Sequence, residues 1–157
     1  MEWFIGICRG LASIHQRQTL HRDLKPANVF LTKRQENTKW PKIGDFGCAK
    51  VFAGATNKQT TYVGTPNYMA PELCDESPYN PASDIWSLGC ILYELAALHP
   101  PFEAKSWLSL IMKIQKGEYE PLPQIYSARL VELVGKLLDK DPLRRPTAIE
   151  ILELPFV

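Results

Sequence analysis

The stretch His21-Arg22-Asp23-Leu24-Lys25-Pro26-Ala27-Asn28 places a carboxylate, an ammonium group and an amide close together in the chain. Residues 29–31 follow as a short apolar, partly β-branched run, which predicts a strand. Residues 42–44 predict a second short strand that pairs with the first, and residues 45–47 read Asp-Phe-Gly at its end. We therefore expect the hairpin to bring the carboxylate of Asp45 beside the loop of residues 21–28.

The sequence on both sides of this hairpin predicts helices. Before it, an amphipathic pattern at helical spacing runs from Phe4 to His15. After it, the apolar run of residues 85–98 predicts a buried helix that Ser83 caps and that ends near His99. Three further amphipathic segments follow: residues 106–116, stopped by Gly117, residues 130–138, and a last short helix capped by Thr147.

Residues 48–80 show no helical or strand periodicity and contain several glycines and prolines. A long stretch without regular structure inside a compact domain usually carries function. The sequence therefore predicts one domain over residues 1–157, mainly α-helical, with a small β-hairpin and one long functional loop.

Composition restricts the classes of partner. Of the 157 residues, 45% are hydrophobic and 22% are charged, and the formal net charge is +1, which predicts neither a nucleic-acid nor a membrane partner. The most apolar run, residues 85–98, is shorter than the roughly 20 apolar residues that cross a bilayer. The four cysteines form no C-x-x-C pair, which argues against zinc. Reduced thiols in an intracellular, cytoplasmic protein are expected, with the nucleus left open.

The polar groups of the 21–28 loop and Asp45 have the chemistry that phosphoryl transfer requires. A carboxylate such as Asp23 can orient an attacking hydroxyl, and a lysine such as Lys25 can neutralise charge on the phosphate in transit. Asn28 and Asp45 offer oxygen ligands of the kind that Mg²⁺ prefers. The pattern therefore points to metal-assisted transfer of a phosphoryl group.

Three motifs in order resemble the signature of eukaryotic protein kinases. Residues 21–28 match its H-R-D-L-x-x-x-N loop, residues 45–47 its D-F-G triplet and residues 70–72 its A-P-E triplet. One triplet alone is more often a simple turn, whereas the three together are specific. The resemblance implies the C-terminal, large lobe of the kinase α+β fold, with the catalytic loop at 21–28, the activation segment at 45–72 and a helical subdomain at 81–157. It also implies ATP and Mg²⁺ as cofactors and proteins with serine or threonine as substrates.

The resemblance also implies the residues of the site. Those that would be catalytic are Asp23, Lys25 and Asn28. Those that would hold the metal are Asn28 and Asp45. Those that would bind the nucleotide are Lys25, Asn28, Asp45 and Phe30, with Phe30 under the adenine ring. Phe30 has a simpler alternative, which is core packing.

Further residues would support the site, according to the same resemblance. His21 and Phe46 would belong to the hydrophobic column that joins the two lobes of a kinase. Asp84 would accept hydrogen bonds from the backbone of the catalytic loop and hold it rigid. Arg145 would pair with Glu72, and a buried pair of this kind is costly to leave half-made.

Two features favour serine/threonine kinases over tyrosine kinases. Lys25 stands two positions after Asp23, where tyrosine kinases usually differ. Residues 64–66 resemble the Gly-Thr-Pro of the serine/threonine peptide-docking loop, in which Thr65 would bond to Asp23 and Lys25. Aminoglycoside-type kinases share a similar catalytic loop but lack the Gly-Thr-Pro and Ala-Pro-Glu segments. Residues 62–73 and 83–95 are most similar to NimA-related kinases.

Arg22 stands next to Asp23. The resemblance implies regulation by phosphorylation of the activation segment, because kinases with this arginine are often switched in that way and phosphate pairs well with arginine. By resemblance, Thr61 is the first candidate acceptor and Thr60 the second. The alternative is that residues 56–61 are merely a polar, solvated loop.

The sequence contains no G-x-G-x-x-G motif before His21 and no V-A-I-K lysine, the two features that hold the phosphates of ATP in kinases. We therefore expect a fragment that lacks the N-terminal lobe, binds ATP weakly and transfers no measurable phosphate by itself. The alternative is a non-catalytic lobe that binds peptides or partner kinases. A degenerate pseudokinase fits less well, because the four residues expected to carry the chemistry are intact.

Overall fold

The computed structural model of the chain describes residues 1–35, 38–46, 50–51 and 66–157. The elements in chain order are α1 (Glu2–Gln16), β1 (Thr19–Leu20), β2 (Val29–Gln35), β3 (Thr38–Ile43), β4 (Lys50–Val51), α2 (Pro71–Cys74), α3 (Pro81–Ala97), α4 (Trp107–Lys116), α5 (Ala128–Leu137) and α6 (Ala148–Leu152). Short 3₁₀ turns lie at Pro26–Asn28, Pro66–Tyr68 and Pro142–Arg144. The described part of the chain is thus mainly helical with a small antiparallel sheet, as the sequence predicted.

Helix α3 is the centre of the hydrophobic core, because its residues from Ser83 to Tyr93 are all buried. Trp86 stacks on Phe102 with the two ring centroids 5.4 Å apart. The helix packs against both α1 and α5. Its approach to α5 requires Gly89, since a Cβ atom there would lie 2.7 Å from the Cβ atom of Leu137.

Helix α1 connects the hairpin to the C-terminal helices. Its apolar face buries Phe4, Ile7 and Leu11, as the helical spacing predicted. The thiol of Cys8 donates a hydrogen bond to the backbone oxygen of Ala148, at the start of α6, over 3.3 Å. The helix also packs on β3. It therefore holds the hairpin and α6 on one structural unit.

The helix termini follow the predicted capping residues with one exception. The hydroxyl of Ser106 accepts a hydrogen bond from the backbone of α4, and Gly117 ends that helix with a φ of 69°. Thr147 caps α6 in a capping box, as predicted. The exception is α3, where Asn80 is the N-cap and Ser83 is the third residue of the helix. None of the described helices is long and apolar enough to cross a membrane.

Strands β2 and β3 form the predicted antiparallel hairpin, with Val29 opposite Ile43 and Thr32 opposite Trp40. Both strands are longer than the short segments that predicted them, because polar residues continue the pairing beyond those segments. Strands β1 and β4 form a second antiparallel pair, with Thr19 opposite Val51. The sequence did not predict this pair, since strands of two residues are too short to show an alternating pattern.

Candidate active site

The 21–28 loop runs from β1 to β2 and ends in the 3₁₀ turn of Pro26–Asn28. Arg22 has a φ of 70°, a left-handed backbone conformation that is uncommon for a residue with a side chain. Leu24 is buried in the core and anchors the loop there. Asp23 and Lys25, on either side of this anchor, are partly exposed. The loop therefore presents Asp23 and Lys25 at the surface.

The carboxylate of Asp23 is held by two neighbours through the same oxygen. Lys25 Nζ lies 2.8 Å from Asp23 Oδ2, and Asn28 Nδ2 donates to that oxygen over 3.0 Å. Asn28 Nδ2 also donates to the backbone oxygen of Asp23 over 2.7 Å. Hydrogen bonds that involve a charged group are stronger than neutral ones. These contacts fix the carboxylate through its Oδ2 atom.

The amide of Asn28 is buried and oriented by these contacts. Its nitrogen donates both hydrogen bonds to Asp23, so its oxygen is turned away from that residue. The backbone amide of Gly44 donates to the backbone oxygen of Asn28 over 2.9 Å. This bond continues the β2–β3 register and places Asp45 directly after the residue opposite Asn28. The hairpin thus brings Asp45 beside the 21–28 loop, as the sequence predicted.

The oxygen donors of Asn28 and Asp45 fit a magnesium ion that arrives with a nucleotide. The described residues contain no group of three or more histidine, cysteine, aspartate or glutamate side chains that could hold a metal. Mg²⁺, however, is commonly bound by one or two protein oxygens together with water and substrate phosphates. An amide oxygen and a carboxylate are therefore a sufficient protein contribution for this ion.

His21 is fully buried and connects the loop to the end of β3. Its Nε2 atom lies 3.0 Å from the backbone oxygen of Gly44, and its Nδ1 atom accepts a hydrogen bond from the backbone amide of Asp23 over 3.4 Å. The two contacts together require the proton on Nε2, which assigns the tautomer. The ring of Phe46 lies 5.2 Å from the His21 ring, centroid to centroid, and Phe46 is 47% exposed.

Phe30 lies on β2 with its ring over the backbone of Gly44. A Cβ atom at residue 44 would lie 2.6 Å from this ring, so the close contact requires glycine there. Phe30 is nevertheless 53% exposed. More than half of the surface of Phe30 is thus open to solvent while its ring also packs on Gly44, so packing and a place under the adenine ring are compatible.

Asp84, at the start of α3, is fully buried and accepts four hydrogen bonds. Its Oδ2 atom accepts from the backbone amide of His21 over 3.0 Å and lies 2.8 Å from His15 Nε2. Its Oδ1 atom accepts from the backbone amide of Arg22 over 3.1 Å and from the hydroxyl of Tyr79 over 2.6 Å. Each carboxylate oxygen thus binds one loop amide and one side chain. We call these five residues the Asp84 cluster.

Glu72 and Arg145 form a buried, bidentate ion pair. Arg145 Nη1 donates to Glu72 Oε1 over 2.9 Å, and Arg145 Nη2 donates to Glu72 Oε2 over 2.8 Å. The guanidinium also donates to the backbone oxygens of Ala82 and Asp139. The hydroxyl of Ser83 donates to Glu72 Oε1 over 2.7 Å. We call this group the Glu72–Arg145 pair, and it joins α2, α3 and the segment before α6.

Tyr68 fixes the segment before α2 against α3. Its hydroxyl donates to Glu94 over 2.7 Å, and its backbone oxygen accepts from the hydroxyl of Ser87 over 2.8 Å. Burial, followed by the hydrogen bond to Glu94, raises the pKa of the Tyr68 hydroxyl above its usual value. Tyr68 therefore stays protonated and continues to donate over the ordinary pH range.

A comparison with known protein families identifies this arrangement. The family described as Protein kinase domain matches residues 1–157. The chain belongs to the protein kinase family. It is 51% identical to Serine/threonine-protein kinase Nek3 of Mus musculus, over 97% of this chain and 29% of the relative. It is 43% identical to Serine/threonine-protein kinase Nek4 of Mus musculus, over 100% of this chain and 19% of the relative.

A third relative is the Probable serine/threonine-protein kinase nek3 of Dictyostelium discoideum, at 46% identity over 100% of this chain and 14% of the relative. The kinase chain thus spans less than a third of the length of these relatives. Their names confirm the predicted resemblance to serine/threonine kinases and to NimA-related kinases. The family match covers the chain as a whole and does not divide it between the two lobes of a kinase.

Several of the predicted site residues lie outside the described residues. They are the docking residue Thr65 and the phosphoacceptor candidates Thr61 and Thr60. Two residues of the Asp84 cluster were missed by sequence reasoning, namely His15 and Tyr79. His15 was counted with the apolar face of α1, although a polar residue on such a face is itself informative. Tyr79 lies in a segment without periodicity, which gave no signal.

Proposed function

We propose that this chain carries the catalytic centre of a serine/threonine protein kinase, which transfers the γ-phosphoryl group of ATP to a serine or threonine hydroxyl of a protein substrate. The proposal rests chiefly on the Asp23 carboxylate, whose Oδ2 atom is contacted by both Lys25 and Asn28. Family membership and the names of the relatives give the reaction class.

Asp23 orients the attacking hydroxyl. With Oδ2 engaged by Lys25 and Asn28, Oδ1 is the oxygen that accepts the hydrogen bond of a substrate serine or threonine. Lys25 keeps a positive charge next to this carboxylate, where negative charge spreads over the transferred phosphate. The carboxylate of Asp23 therefore acts on the attacking hydroxyl, and the ammonium group of Lys25 acts on the transferred phosphate.

Asn28 and Asp45 hold magnesium, and Phe30 holds the nucleotide base. When bound, the metal would neutralise negative charge on the phosphates. The buried amide of Asn28 is kept in one orientation by Asp23, so its oxygen remains available to the ion. The exposed ring of Phe30, seated on Gly44, offers an apolar surface for adenine.

Two further parts of the proposal concern residues 60–65. Thr65 would dock the substrate beside Asp23 and Lys25, and phosphorylated Thr61 or Thr60 would pair with Arg22. The support for these roles is the resemblance to the serine/threonine docking loop and the position of Arg22 next to Asp23. Phosphate pairs strongly with arginine, which gives such a modification a physical effect.

We assign the chain to the large lobe of the kinase fold, with the segments 21–28, 45–72 and 81–157 as catalytic loop, activation segment and helical subdomain. The helical architecture around α3 supports this assignment. The sequence before His21 holds neither the glycine-rich loop nor the ATP-anchoring lysine. The isolated 157 residues are therefore expected to bind ATP weakly and to transfer little phosphate.

Phosphotransfer by the gene product that contains these residues tests the proposal. It is incubated with radiolabelled ATP, Mg²⁺ and a protein substrate, and the labelled amino acids are separated. We expect phosphoserine or phosphothreonine. We expect Asp23→Asn to lower the rate about 10²- to 10⁴-fold, since an amide cannot take up the proton of the attacking hydroxyl as a carboxylate can. The matched control is Asp75→Asn, which changes an exposed carboxylate on α2's C-terminal side.

Radiolabelled phosphotyrosine would contradict the assignment of serine and threonine as the acceptor residues. Equal rates in Asp23→Asn and Asp75→Asn would contradict the role of Asp23. A gene product that transfers no phosphate, although it still binds peptide substrates, would favour the non-catalytic module.

A further inference from the structure

Tyr79 is a residue to which neither the motifs nor the proposed function give a role. It lies between α2 and α3 and makes two contacts with the Asp84 cluster. Its hydroxyl donates to Asp84 Oδ1 over 2.6 Å. Its ring lies under the guanidinium of Arg22, whose Cζ atom is 5.8 Å from the ring centroid. One side chain thus contacts both the buried carboxylate and the side chain of Arg22, whose backbone amide this carboxylate binds.

We propose that Tyr79 is a positioning residue for the 21–28 loop, which holds Arg22 in place through its backbone and its side chain at once. The hydroxyl acts on the backbone, because it fixes the Asp84 oxygen that accepts the Arg22 amide. The ring acts on the side chain, because a guanidinium is attracted to the face of an aromatic ring. Arg22 directly precedes Asp23, so its conformation sets the position of that carboxylate.

The need for such a residue comes from the backbone of Arg22. The left-handed conformation at this position is unfavourable for any residue that has a Cβ atom. A conformation of this kind persists only where the surroundings hold it. The described contacts that hold it are the hydrogen bond from the Arg22 amide to Asp84 Oδ1 and the packing on Tyr79.

The two carboxylate oxygens of Asp84 bind different partners. Oδ2 serves the His21 amide and His15, whereas Oδ1 serves the Arg22 amide and Tyr79. Removing the Tyr79 hydroxyl therefore leaves the Oδ2 side intact. Burial and the neighbouring Asp84 raise the pKa of the Tyr79 hydroxyl well above its usual value, so it remains a donor at neutral pH. The effect of its loss should be local to Arg22.

The role of Tyr79 rests on the proposed kinase function only where it concerns the position of the Asp23 carboxylate. The test of this role needs no phosphotransfer assay. Amide hydrogen exchange of the ¹⁵N-labelled chain is measured for Tyr79→Phe and for the wild-type protein. We expect the Arg22 amide to exchange about tenfold faster or more in Tyr79→Phe, and the His21 amide to change less. The matched control is Tyr126→Phe, which removes a hydroxyl bonded to the backbone oxygen of Ala96 over 2.8 Å.

Unchanged exchange at Arg22 in Tyr79→Phe would overturn the proposal, as would an equal rise in Tyr126→Phe. The role of the ring is tested by the chemical shifts of the Arg22 side-chain protons. The ring of Tyr79 should shift them upfield in the wild-type protein and in Tyr79→Phe, and Tyr79→Leu should abolish the shift. Retention of the shift in Tyr79→Leu would contradict the role of the ring.

If Tyr79→Phe does not fold, the wild-type protein still provides a test. The hydroxyl proton of Tyr79 should then be visible in slow exchange with water and close to the Arg22 amide proton in a nuclear Overhauser spectrum. A hydroxyl proton in fast exchange would overturn the proposal. A negative phosphotransfer assay leaves all of these measurements unaffected, so the two proposals fail separately.

Discussion

The Asp84 cluster and the Glu72–Arg145 pair both surround the N-terminal part of α3, but they are built from different partners. Asp84 is bound by two backbone amides of the 21–28 loop, a phenol and an imidazole. Glu72 is bound by a guanidinium that also reaches the backbone oxygens of distant segments. The first group fixes the conformation of one loop, whereas the second holds three segments together. Buried charge therefore serves local geometry in one place and global stability in the other.

The largest effect is expected from Arg145→Ala. It leaves Glu72 buried without its cation, and breaking a buried pair in this way costs about 3–5 kcal/mol. The free energy of unfolding is measured by urea denaturation. The matched control is Arg144→Ala, because Arg144 is exposed and lies 3.5 Å from the exposed Asp141, so the free energy should change by less than about 1 kcal/mol. Similar losses in both variants would erase the distinction between the two regions.

An intermediate effect is expected from Asp84→Asn. The amide keeps the shape of the side chain but cannot accept from all four donors, which we expect to cost about 2 kcal/mol of unfolding free energy. Hydrogen exchange at the His21 and Arg22 amides should rise more than exchange elsewhere. Arg145→Ala should instead raise exchange in all helices alike. A uniform rise in Asp84→Asn would show that the Asp84 cluster, too, acts only on global stability.

How much of these two regions the sequence predicted depends on how far apart their partners lie. The motifs pointed to Asp84, Glu72 and Arg145, because each lies inside a recognisable pattern. They gave no indication of His15, which reaches Asp84 from a different helix, since such convergence appears only when α1 packs on α3. A similar limit applied to the cap of α3: Ser83 and Asn80 are both good capping residues, and only the helix start at Pro81 decides between them.

The hairpin and the active-site loop were predicted more fully. The apolar run of residues 29–31 and the segment of residues 42–44 predicted both strands, and the strand register places Asp45 beside Asn28. The exposure of Phe30 was not decided by the sequence, because an aromatic residue in a short apolar run fits a core as well as a surface. Its position over Gly44, which has no side chain to displace it, resolves that question.

The smallest effect is expected from alkaline pH, and it distinguishes the chemistry of the two regions. The pKa of Tyr79 is raised well above its usual value, chiefly by burial and then by Asp84. Above about pH 10 the folded state therefore retains a proton that the unfolded state has lost, so the free energy of unfolding falls as the pH rises. The slope from this one group is about 1.4 kcal/mol per pH unit. The Glu72–Arg145 pair contains no phenol that could titrate in this range.

Unfolding free energies of the wild-type protein and of Tyr79→Phe, measured between about pH 10 and 11, isolate this contribution. The buried thiols also keep their protons in the folded state, but they contribute equally to both proteins. Tyr79→Phe should show the shallower fall. Parallel slopes would mean that the Tyr79 hydroxyl ionises as readily in the folded state as in the unfolded chain.

Cys8 on α1, whose thiol donates a hydrogen bond to Ala148 on α6, can report the separation of these two helices. Burial raises the pKa of the Cys8 thiol to about 12, so almost none of it is thiolate at neutral pH. Alkylating reagents attack thiolates, and a side chain with no exposed surface is out of their reach. The rate at which Cys8 is alkylated would therefore report how often α1 separates from α6, on a time scale set by the concentration of the reagent.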